Sequence, residues 1–500
     1  MVIMRLRNAR MVDLVTGTAG RPHDIVVSGP RIYRSDVAAT GADDDGSEID
    51  LQGRWVMPGL WDAHVHFDLW AMACRWPDAG RADSAAELCA RLGGITEQRT
   101  DDEPIIAMGA QPWTWPDTLA GAMLDAISAT RPIVVVAANL HTAWTNGAAR
   151  RHWGMDREDL ADGVLHEKDA FRLEDRFSVV DETMLDEWVA RAQELAASRG
   201  IVGVTDMQHG PGRIRTWRRR AARPDQLLRV VIACWGDNLD EAIASGMRTD
   251  HPLDEAGWLR GGPLKIISDG SFTAQTAWCS RPYGDPGDGL DPHGAPSITR
   301  EKLATLMGRA ELHGLQTAVH AIGDRAITMA LDCFTETGAT GSIEHAAVPS
   351  PSDISRMAEL GLRASVQPVH MLADRGLVEE RWPAETDRFF PLRSMLEAGV
   401  PLSFGTDAPV APVDPWLTIQ TAVLRALPGQ EAWHSREALS IAQALRASTG
   451  RIGALVPGGY ADLIALDENP FATEPDRLGR TEVFLTMANG RITWWADAAD

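Results

Sequence analysis

Short apolar runs rich in β-branched residues alternate with helical segments along the middle of this 500-residue chain. Such alternation is typical of parallel β/α units, in which a helix connects each strand to the next. Because the pattern supplies eight strands, it predicts an α/β fold built on a closed (β/α)8 TIM-type barrel. The predicted strands lie within residues 55–67, 200–207, 227–235, 262–270, 315–323, 341–347, 362–370 and 400–409.

Segments outside the barrel predict two further units. The first and last fifty residues contain short alternating segments broken by Gly and Asp, which indicates antiparallel strands. Because chain termini often lie close together, we expect one composite β-sandwich domain from both ends. Two extra apolar runs follow the first barrel strand and predict an inserted α+β lid domain. The expected boundaries are 1–57 plus 452–500 for the sandwich, 58–69 plus 179–451 for the barrel, and 70–178 for the lid.

Composition narrows the range of partners. The 48 basic and 70 acidic residues give a net charge of −22, which disfavours binding to nucleic acid and to anionic membranes. The basic run 215–226 is interpreted as an exposed helix end. Five scattered cysteines without a C-x-x-C pair, and no apolar run near ~18 residues, predict a soluble cytoplasmic protein with reduced thiols. We expect its partner to be a small-molecule substrate, and the sequence leaves open whether the chain forms a homo-oligomer.

Polar residues mark the carboxyl ends of five predicted strands. His64 and His66 are two residues apart, so both imidazoles face one side of a strand. Active sites of such barrels lie at this face, so we expect the whole set to converge. Each residue also has a structural interpretation, such as a buried histidine or a helix cap. The set comprises His64, His66, Lys265, His320, His345 and Asp407.

These residue types are suited to a divalent metal. Neutral imidazoles and a carboxylate favour Zn²⁺, with a position left for water. Six ligands are more than one tetrahedral metal site can use. Two ions about 3.5 to 4 Å apart would use all six. Lys265 becomes an anionic bridge when CO₂ converts it to a carbamate, but its free ammonium would repel metals. With unmodified Lys265 the prediction is one ion and a smaller ligand set, so the expected content is one or two ions per chain.

Six segments, in this order, resemble the amidohydrolase superfamily and, within it, the amidohydrolase-3 branch that includes N-substituted formamide deformylases. They are "PGLWDAHVHF", "LKIISDGS", "VHAIGDRA", "IEHA", "QPVH" and "FGTDAPV". The resemblance spans nearly the whole chain and implies a metal-dependent hydrolase of amide or related C–N bonds, of the N-acyl or N-formyl amine type. It implies that His64, His66 and Asp407 bind one metal ion. It also implies that His320 and His345 bind a second ion and that Lys265 bridges the two.

The resemblance also implies catalytic roles. A metal lowers the pKa of a bound water towards ~7, and Asp407 acts as the general base that takes its proton. His141, in "NLHTAWTN", resembles the branch's histidine on the inserted domain and is a candidate for stabilising the oxyanion. A structural histidine is the equally weighted alternative for His141.

Further residues are candidates for substrate binding. Trp113, Trp115 and Trp144 in the insertion are expected to form an apolar wall beside His141. Gln367 and His370 end the seventh strand and are expected to line the pocket. Gln275 stands where much of the branch has an Arg, which bears on recognition of an anionic or carbonyl group.

Three alternatives are weighed against C–N hydrolysis. A mononuclear deaminase of the superfamily has a Glu three residues after the fifth-strand histidine, where this chain has Gly323. An ester, lactone or carbamate hydrolase uses a similar metal site, so the ligands alone do not exclude this alternative. A non-catalytic binding protein is expected to have lost ligands, yet none of the six is absent. No phosphate loop, H-E-x-x-H or G-x-S-x-G motif is present.

Overall fold

A computed structural model describes residues 3–34, 47–157, 160–284 and 291–496. Its strands fall into three sheets: one from both chain ends, one in the insertion and one in the barrel. In chain order the described strands are β1 (Ile3–Met11), β2 (His23–Ser28), β3 (Arg31–Arg34), β4 (Ser47–Asp50), β5 (Trp55–Pro58), β6 (Leu60–Val65), β7 (Ile105–Ala110), β8 (Ile133–Ala137), β9 (Thr142–Thr145), β10 (Val164–His166), β11 (Ile201–Asp206), β12 (Arg229–Trp235), β13 (Leu259–Ile267), β14 (Thr317–Ala321), β15 (Gly341–His345), β16 (Arg363–Val366), β17 (Leu402–Phe404), β18 (Leu463–Leu466), β19 (Val483–Ala488) and β20 (Arg491–Trp495).

Helices connect most of the barrel strands and cover the sheet of the insertion. In the same ranges they are α1 (Phe67–Ala73), α2 (Ala85–Gln98), α3 (Gly121–Ile127), α4 (Gly147–His152), α5 (Lys168–Phe177), α6 (Glu182–Ser198), α7 (Arg213–Ala221), α8 (Leu239–Ala244), α9 (Arg300–Leu312), α10 (Asp324–Thr337), α11 (Pro351–Glu359), α12 (His370–Arg381), α13 (Leu392–Glu397), α14 (Pro415–Leu424) and α15 (Ile441–Thr449). Helix α9 begins after Thr299, whose hydroxyl accepts a hydrogen bond from the Lys302 amide.

The predicted (β/α)8 barrel is confirmed. Strands β6 and β11 to β17 form one parallel sheet in chain order. Its two ends are joined where the Asp407 amide donates to the His64 carbonyl (2.7 Å) and the His66 amide donates to the Ala408 carbonyl (2.9 Å). A Cβ on Gly405 would lie 2.6 Å from that of His64, so glycine allows this approach. The closure therefore sets three predicted ligands side by side.

The sheet from the chain ends differs in part from the prediction. Its order is β20-β19-β18-β5-β1-β2-β3, with β4 also on β1, and both ends contribute to one apolar core. The expectation of antiparallel strands is wrong for two pairs, since β1 runs parallel to β4 and to β5. The reason is that β2 pairs along one edge of β1, while β4 and β5 share its other edge, β4 beside Met4–Arg7 and β5 beside Arg10–Met11.

The insertion contains its own sheet, in the order β10-β9-β8-β7. Strands β7 and β8 are parallel, and the other pairs are antiparallel. Strand β8 is buried along its whole length between helices of the insertion. The exact limits of this unit and of the other two stay predictions.

The basic run at 215–226 is not simply an exposed helix end, which corrects the sequence interpretation. Arg220 on α7 is only 2% exposed, and it donates to Asp68 (2.6 Å) and Asp186 (2.7 Å). Arg213 pairs with Asp68 and with Asp206 (2.6 Å). These cations are therefore neutralised inside the protein by carboxylates from α1, α6 and β11.

The structure also bears on the cysteines and on the possibility of membrane-spanning helices. All five cysteines are free. Among the helices of the described residues, none combines the length and the apolar character needed to cross a membrane.

Candidate metal centre

The six predicted ligands lie at the carboxyl ends of barrel strands. His64 is in β6, Lys265 in β13, His320 in β14 and His345 in β15. His66 follows β6, and Asp407 follows β17. All are buried except the half-buried His66. The structure therefore brings the whole set to one face, as the sequence predicts.

Three of these residues are close enough to hold one ion. Ligand atoms of His64, His345 and Asp407 lie within 4.8 Å of one another. The Asp407 Oδ1 atom is 3.3 Å from His64 Nε2 and 3.4 Å from His66 Nε2. Two ligand atoms bound to Zn²⁺ at the tetrahedral angle lie about 3.3 Å apart. The spacing around Asp407 thus fits a metal ion.

The two remaining ligands extend the cluster, His320 beside His345 and Lys265 beside His64. The rings of His320 and His345 are 4.5 Å apart between centroids, and Lys265 Nζ lies 3.1 Å from His64 Nε2. The buried Nδ1 atom of His345 has no hydrogen-bond partner among the described residues. Such an orphaned nitrogen costs about 1 to 3 kcal/mol, so the chemistry of this donor set also fits a bound cation.

Electrostatics favours the metal-binding protonation states. Burial lowers the pKa of His64, and burial lowers the pKa of His345 well below its usual range. Burial also lowers the pKa of the Lys265 amine. Burial alone would raise the pKa of Asp407, but His64 and the hydrogen bond to His66 hold that pKa well below its usual range. Neutral imidazoles and an ionised carboxylate are the forms that ligate metals.

Two of the candidate ligands and one neighbouring residue have unusual backbone conformations. His345, Ala346 and Asp407 have φ angles of 70°, 43° and 56°. Non-glycine residues in this left-handed region are uncommon, and each costs about 1 to 3 kcal/mol where it is strained. Such positions cluster at functional sites, which agrees with their place at the strand ends.

Glu344 is a functional candidate that the sequence reasoning missed. Its carboxylate is 1% exposed and accepts hydrogen bonds from His64 Nδ1 (2.7 Å) and Ser342 Oγ (2.5 Å). The first bond fixes the His64 ring so that Nε2 faces Asp407 and Lys265. A carboxylate in this role orients a metal ligand and raises its basicity. The available signal was an acid within the buried run "GSIEHAA".

Two buried aspartates that the sequence reasoning also missed accept hydrogen bonds from segments that carry the candidate ligands or lie beside them. Asp62 accepts hydrogen bonds from the Thr406 hydroxyl (2.6 Å) and from the amides of Thr406 and His64, which ties β6 to the segment after β17. Asp269 accepts from the amides of Ile322, Gly323 and Trp278. Its Oδ1 atom is 3.6 Å from His320 Nε2. Burial raises the pKa of Asp62 to about 6 and that of Asp269 to about 7.

A cavity of about 330 Å³ opens onto this cluster. Its volume is within the range of small-molecule sites, and both the barrel and the insertion supply its walls. The barrel ligands His320, His345 and Asp407 form part of its floor. The walls are mainly apolar and include Trp113, Phe272, Ile322, Leu372, Val410 and Leu427.

His141 lies in the cavity wall contributed by the insertion. Its Nδ1 atom is 2.8 Å from the Glu167 carboxylate. Although burial acts to lower its pKa, the Glu167 carboxylate raises the pKa of His141 above the ordinary value. The raised pKa favours the protonated imidazole, in which one N–H donates to Glu167 and the other is available to a ligand in the cavity.

The predicted substrate-binding residues separate into two groups. Trp113 and His370 line the cavity, and His370 Nε2 is 3.9 Å from Asp407 Oδ2. The structure does not place the other three at this cavity, which corrects the predicted wall. Trp144 packs in the core of the insertion, Trp115 donates its indole N–H to the Ala82 carbonyl, and Gln367 is buried before α12. Packing inside the insertion uses the two tryptophans instead, whereas Gln367 is buried in the barrel directly after β16.

Comparisons with known proteins agree with this geometry. The chain is 26% identical to an N-substituted formamide deformylase of Arthrobacter pascens, over 97% of each chain. It is 27% identical to the protein LONG AFTER FAR-RED 3 of Arabidopsis thaliana, over 91% of this chain and 89% of that one.

Among solved structures, an uncharacterized metal-dependent hydrolase of Pyrococcus horikoshii OT3 superposes with a TM-score of 0.80. It is 26% identical to this chain, and the match covers 95% of this chain and 99% of the other. The family described as "Amidohydrolase family" matches residues 47–494. That match covers most of the chain and all six candidate ligands. The chain is therefore a hydrolase, and it belongs to the amidohydrolase family.

Proposed function

We propose that this hydrolase cleaves an amide-type C–N bond of an N-formyl or N-acyl amine at a divalent-metal centre. The single observation that carries the proposal is the position of Asp407. Its carboxylate contacts two histidines of the candidate centre and faces the cavity in which a substrate fits. The Asp407 carboxylate can therefore bind a metal ion and also contact a substrate in the cavity.

The proposed ligand sets are those that the family resemblance implies, and all their members lie in the cluster. His64, His66 and Asp407 would hold one ion and His320 and His345 a second, with Lys265, as a CO₂-derived carbamate, as the ligand that they would share. Burial supports that modification, because the lowered pKa of Lys265 favours the neutral amine that reacts with CO₂. Zn²⁺ suits a set of imidazoles and one carboxylate. Divalent ions at such a site make water acidic and polarise a carbonyl.

The protein's own groups then move the protons and stabilise the charge. Asp407 accepts a proton from the attacking water at a carboxylate oxygen and delivers it to the departing nitrogen. His141, oriented by Glu167, donates a hydrogen bond to the carbonyl oxygen as negative charge develops there. The apolar walls around Trp113 and Phe272 limit the access of bulk water, which strengthens both interactions.

One relative supports cleavage of C–N rather than C–O bonds. The Arthrobacter pascens relative is named as an N-substituted formamide deformylase and aligns over 97% of both chains. Among C–N hydrolases, deamination is disfavoured, because Gly323 lacks the carboxylate that superfamily deaminases use after the fifth-strand histidine. The cavity volume of about 330 Å³ agrees with a small-molecule substrate.

A matched set of substrates tests the proposal. Purified Zn²⁺-loaded protein is incubated with N-formylpentylamine, N-acetylpentylamine and pentyl acetate, and released amine or alcohol is quantified. We expect amine release from one of the amides, loss of activity after chelation and recovery with Zn²⁺. Hydrolysis of the ester alone, or amine release that persists in the chelated protein, would contradict the proposed function.

A further inference from the structure

One carboxylate in the cavity wall is not used by the proposed mechanism. Asp374 lies on α12, four residues after His370, so both side chains share one face of the helix. Both line the cavity. Among the described residues, none donates a hydrogen bond to Asp374 or forms an ion pair with it. Burial, with no offsetting cation, raises its pKa to about 7.

The arginines of the same helix are occupied elsewhere. Arg375 pairs with Glu379 (2.9 Å) and donates to the Glu431 carbonyl (3.0 Å). Arg381 lies 3.5 Å from a Glu380 carboxylate oxygen. Asp374 therefore has no neutralising partner from its own element.

The rest of the described cavity lining offers Asp374 no cationic partner, because His141, whose pKa is raised, is paired with the Glu167 carboxylate instead. The described residues of the lining include neither Lys nor Arg. The polar residues near the lid are neutral, namely Gln111, Thr114 and Asn139. Gln275, which replaces an expected Arg on the segment after β13, adds no cation either. An anionic substrate group beside Asp374 would therefore meet a carboxylate that has no ion-pair partner among the described residues.

A partly buried carboxylate without a partner is unfavourable, and a cation beside it relieves that cost. We propose that the cavity recognises a substrate bearing an ammonium or guanidinium group, which pairs with Asp374 while the scissile C–N bond lies at Asp407. This inference rests on the proposed function and names its substrate class. Asp374 acts here as a specificity-determining residue.

The geometry sets the length of such a substrate. His370 Nε2 is 3.9 Å from Asp407, and Asp374 lies one helical turn, about 5 to 6 Å, beyond His370 on the same face. Apolar side chains such as Leu372 and Trp113 border the cavity. A short methylene chain between amide and cation fits this arrangement, as in a monoformylated diamine.

Two formamides of equal length and different charge test the inference. N-formylputrescine carries an ammonium group where N-formylpentylamine carries a methyl group. We expect the wild-type kcat/KM to favour the cationic substrate, and Asp374→Asn to lower this preference about 10- to 100-fold, because a charge-assisted hydrogen bond is lost. Added salt should also reduce the wild-type preference. Glu380→Gln, at an exposed acid on the same helix, should keep it.

The outcomes separate this inference from the proposed function. Equal kcat/KM values for the two formamides in the wild type, or an equal loss of both in Asp374→Asn, would overturn the cation subsite while C–N hydrolysis stands. Calorimetric binding of N-formylputrescine supplies a second readout that does not need turnover. Binding that depends on Asp374, without amine release from either formamide or from N-acetylpentylamine, would support the subsite and contradict the proposed hydrolysis.

Discussion

Replacing Asp407 with asparagine is expected to lower kcat/KM for the formamide substrate by about 10³-fold or more. The amide keeps the size of the side chain but loses the charge that binds a cation and the oxygen that accepts a proton. We expect the Asp407→Asn variant to keep the wild-type fold, because the backbone at this position can stay as it is. Asn tolerates the left-handed conformation at this position (φ 56°), and the backbone bond to His64 is unchanged.

The measurement combines steady-state kinetics with thermal unfolding and metal content. Asp387→Asn is the matched control, because Asp387 is half-exposed and pairs with Arg436 outside the cavity. We expect this control to retain wild-type kinetics. A kcat/KM for Asp407→Asn within about tenfold of the wild type would exclude Asp407 as the general base.

Replacing Arg220 with alanine is expected to destabilise the fold by about 3 to 5 kcal/mol, because it leaves buried carboxylates without a partner. Arg220 contacts Asp68 and Asp186 at 2.6 and 2.7 Å, and it also lies over the Trp217 ring. Burial alone would raise the pKa of Asp68, but Arg213 and Arg220 hold it below its usual range. Much of that favourable interaction is lost in the variant.

Urea unfolding measures the change in the free energy of unfolding. Arg218→Ala on the same helix removes an exposed arginine that donates to the Leu253 carbonyl, and it should change stability by less than about 1 kcal/mol. Comparable losses for the two variants would show that the buried pairs do not carry the stability assigned to them.

The barrel and its ligand-bearing strand ends were predictable because their signals are local. Alternating strand and helix patterns identify the β/α units, and the parallel topology then brings distant strand ends to one face. His64 and Asp407 could thus be assigned to one site although 343 positions separate them (407 − 64). The Thr299 cap of α9 was visible in the same local way.

Other features depend on contacts that no local pattern encodes. Glu344 reaches His64 across 280 positions, and its neighbours in sequence do not reveal that partner. Arg220 looks like part of a solvated basic run until α1 and α6 bring Asp68 and Asp186 against it. Trp115 and Trp144 share the insertion with Trp113, yet only tertiary packing decides which indole faces the cavity.

The metal content of the purified protein tests whether the six candidate ligands form a metal centre. Protein prepared without chelator and with bicarbonate is analysed for metals beside Lys265→Ala. We expect about two divalent ions per wild-type chain and fewer in the variant. About one ion in both would remove Lys265 from the ligand set. Wild-type protein that binds no divalent metal, even after reloading, would contradict the metal centre formed by the six candidate ligands.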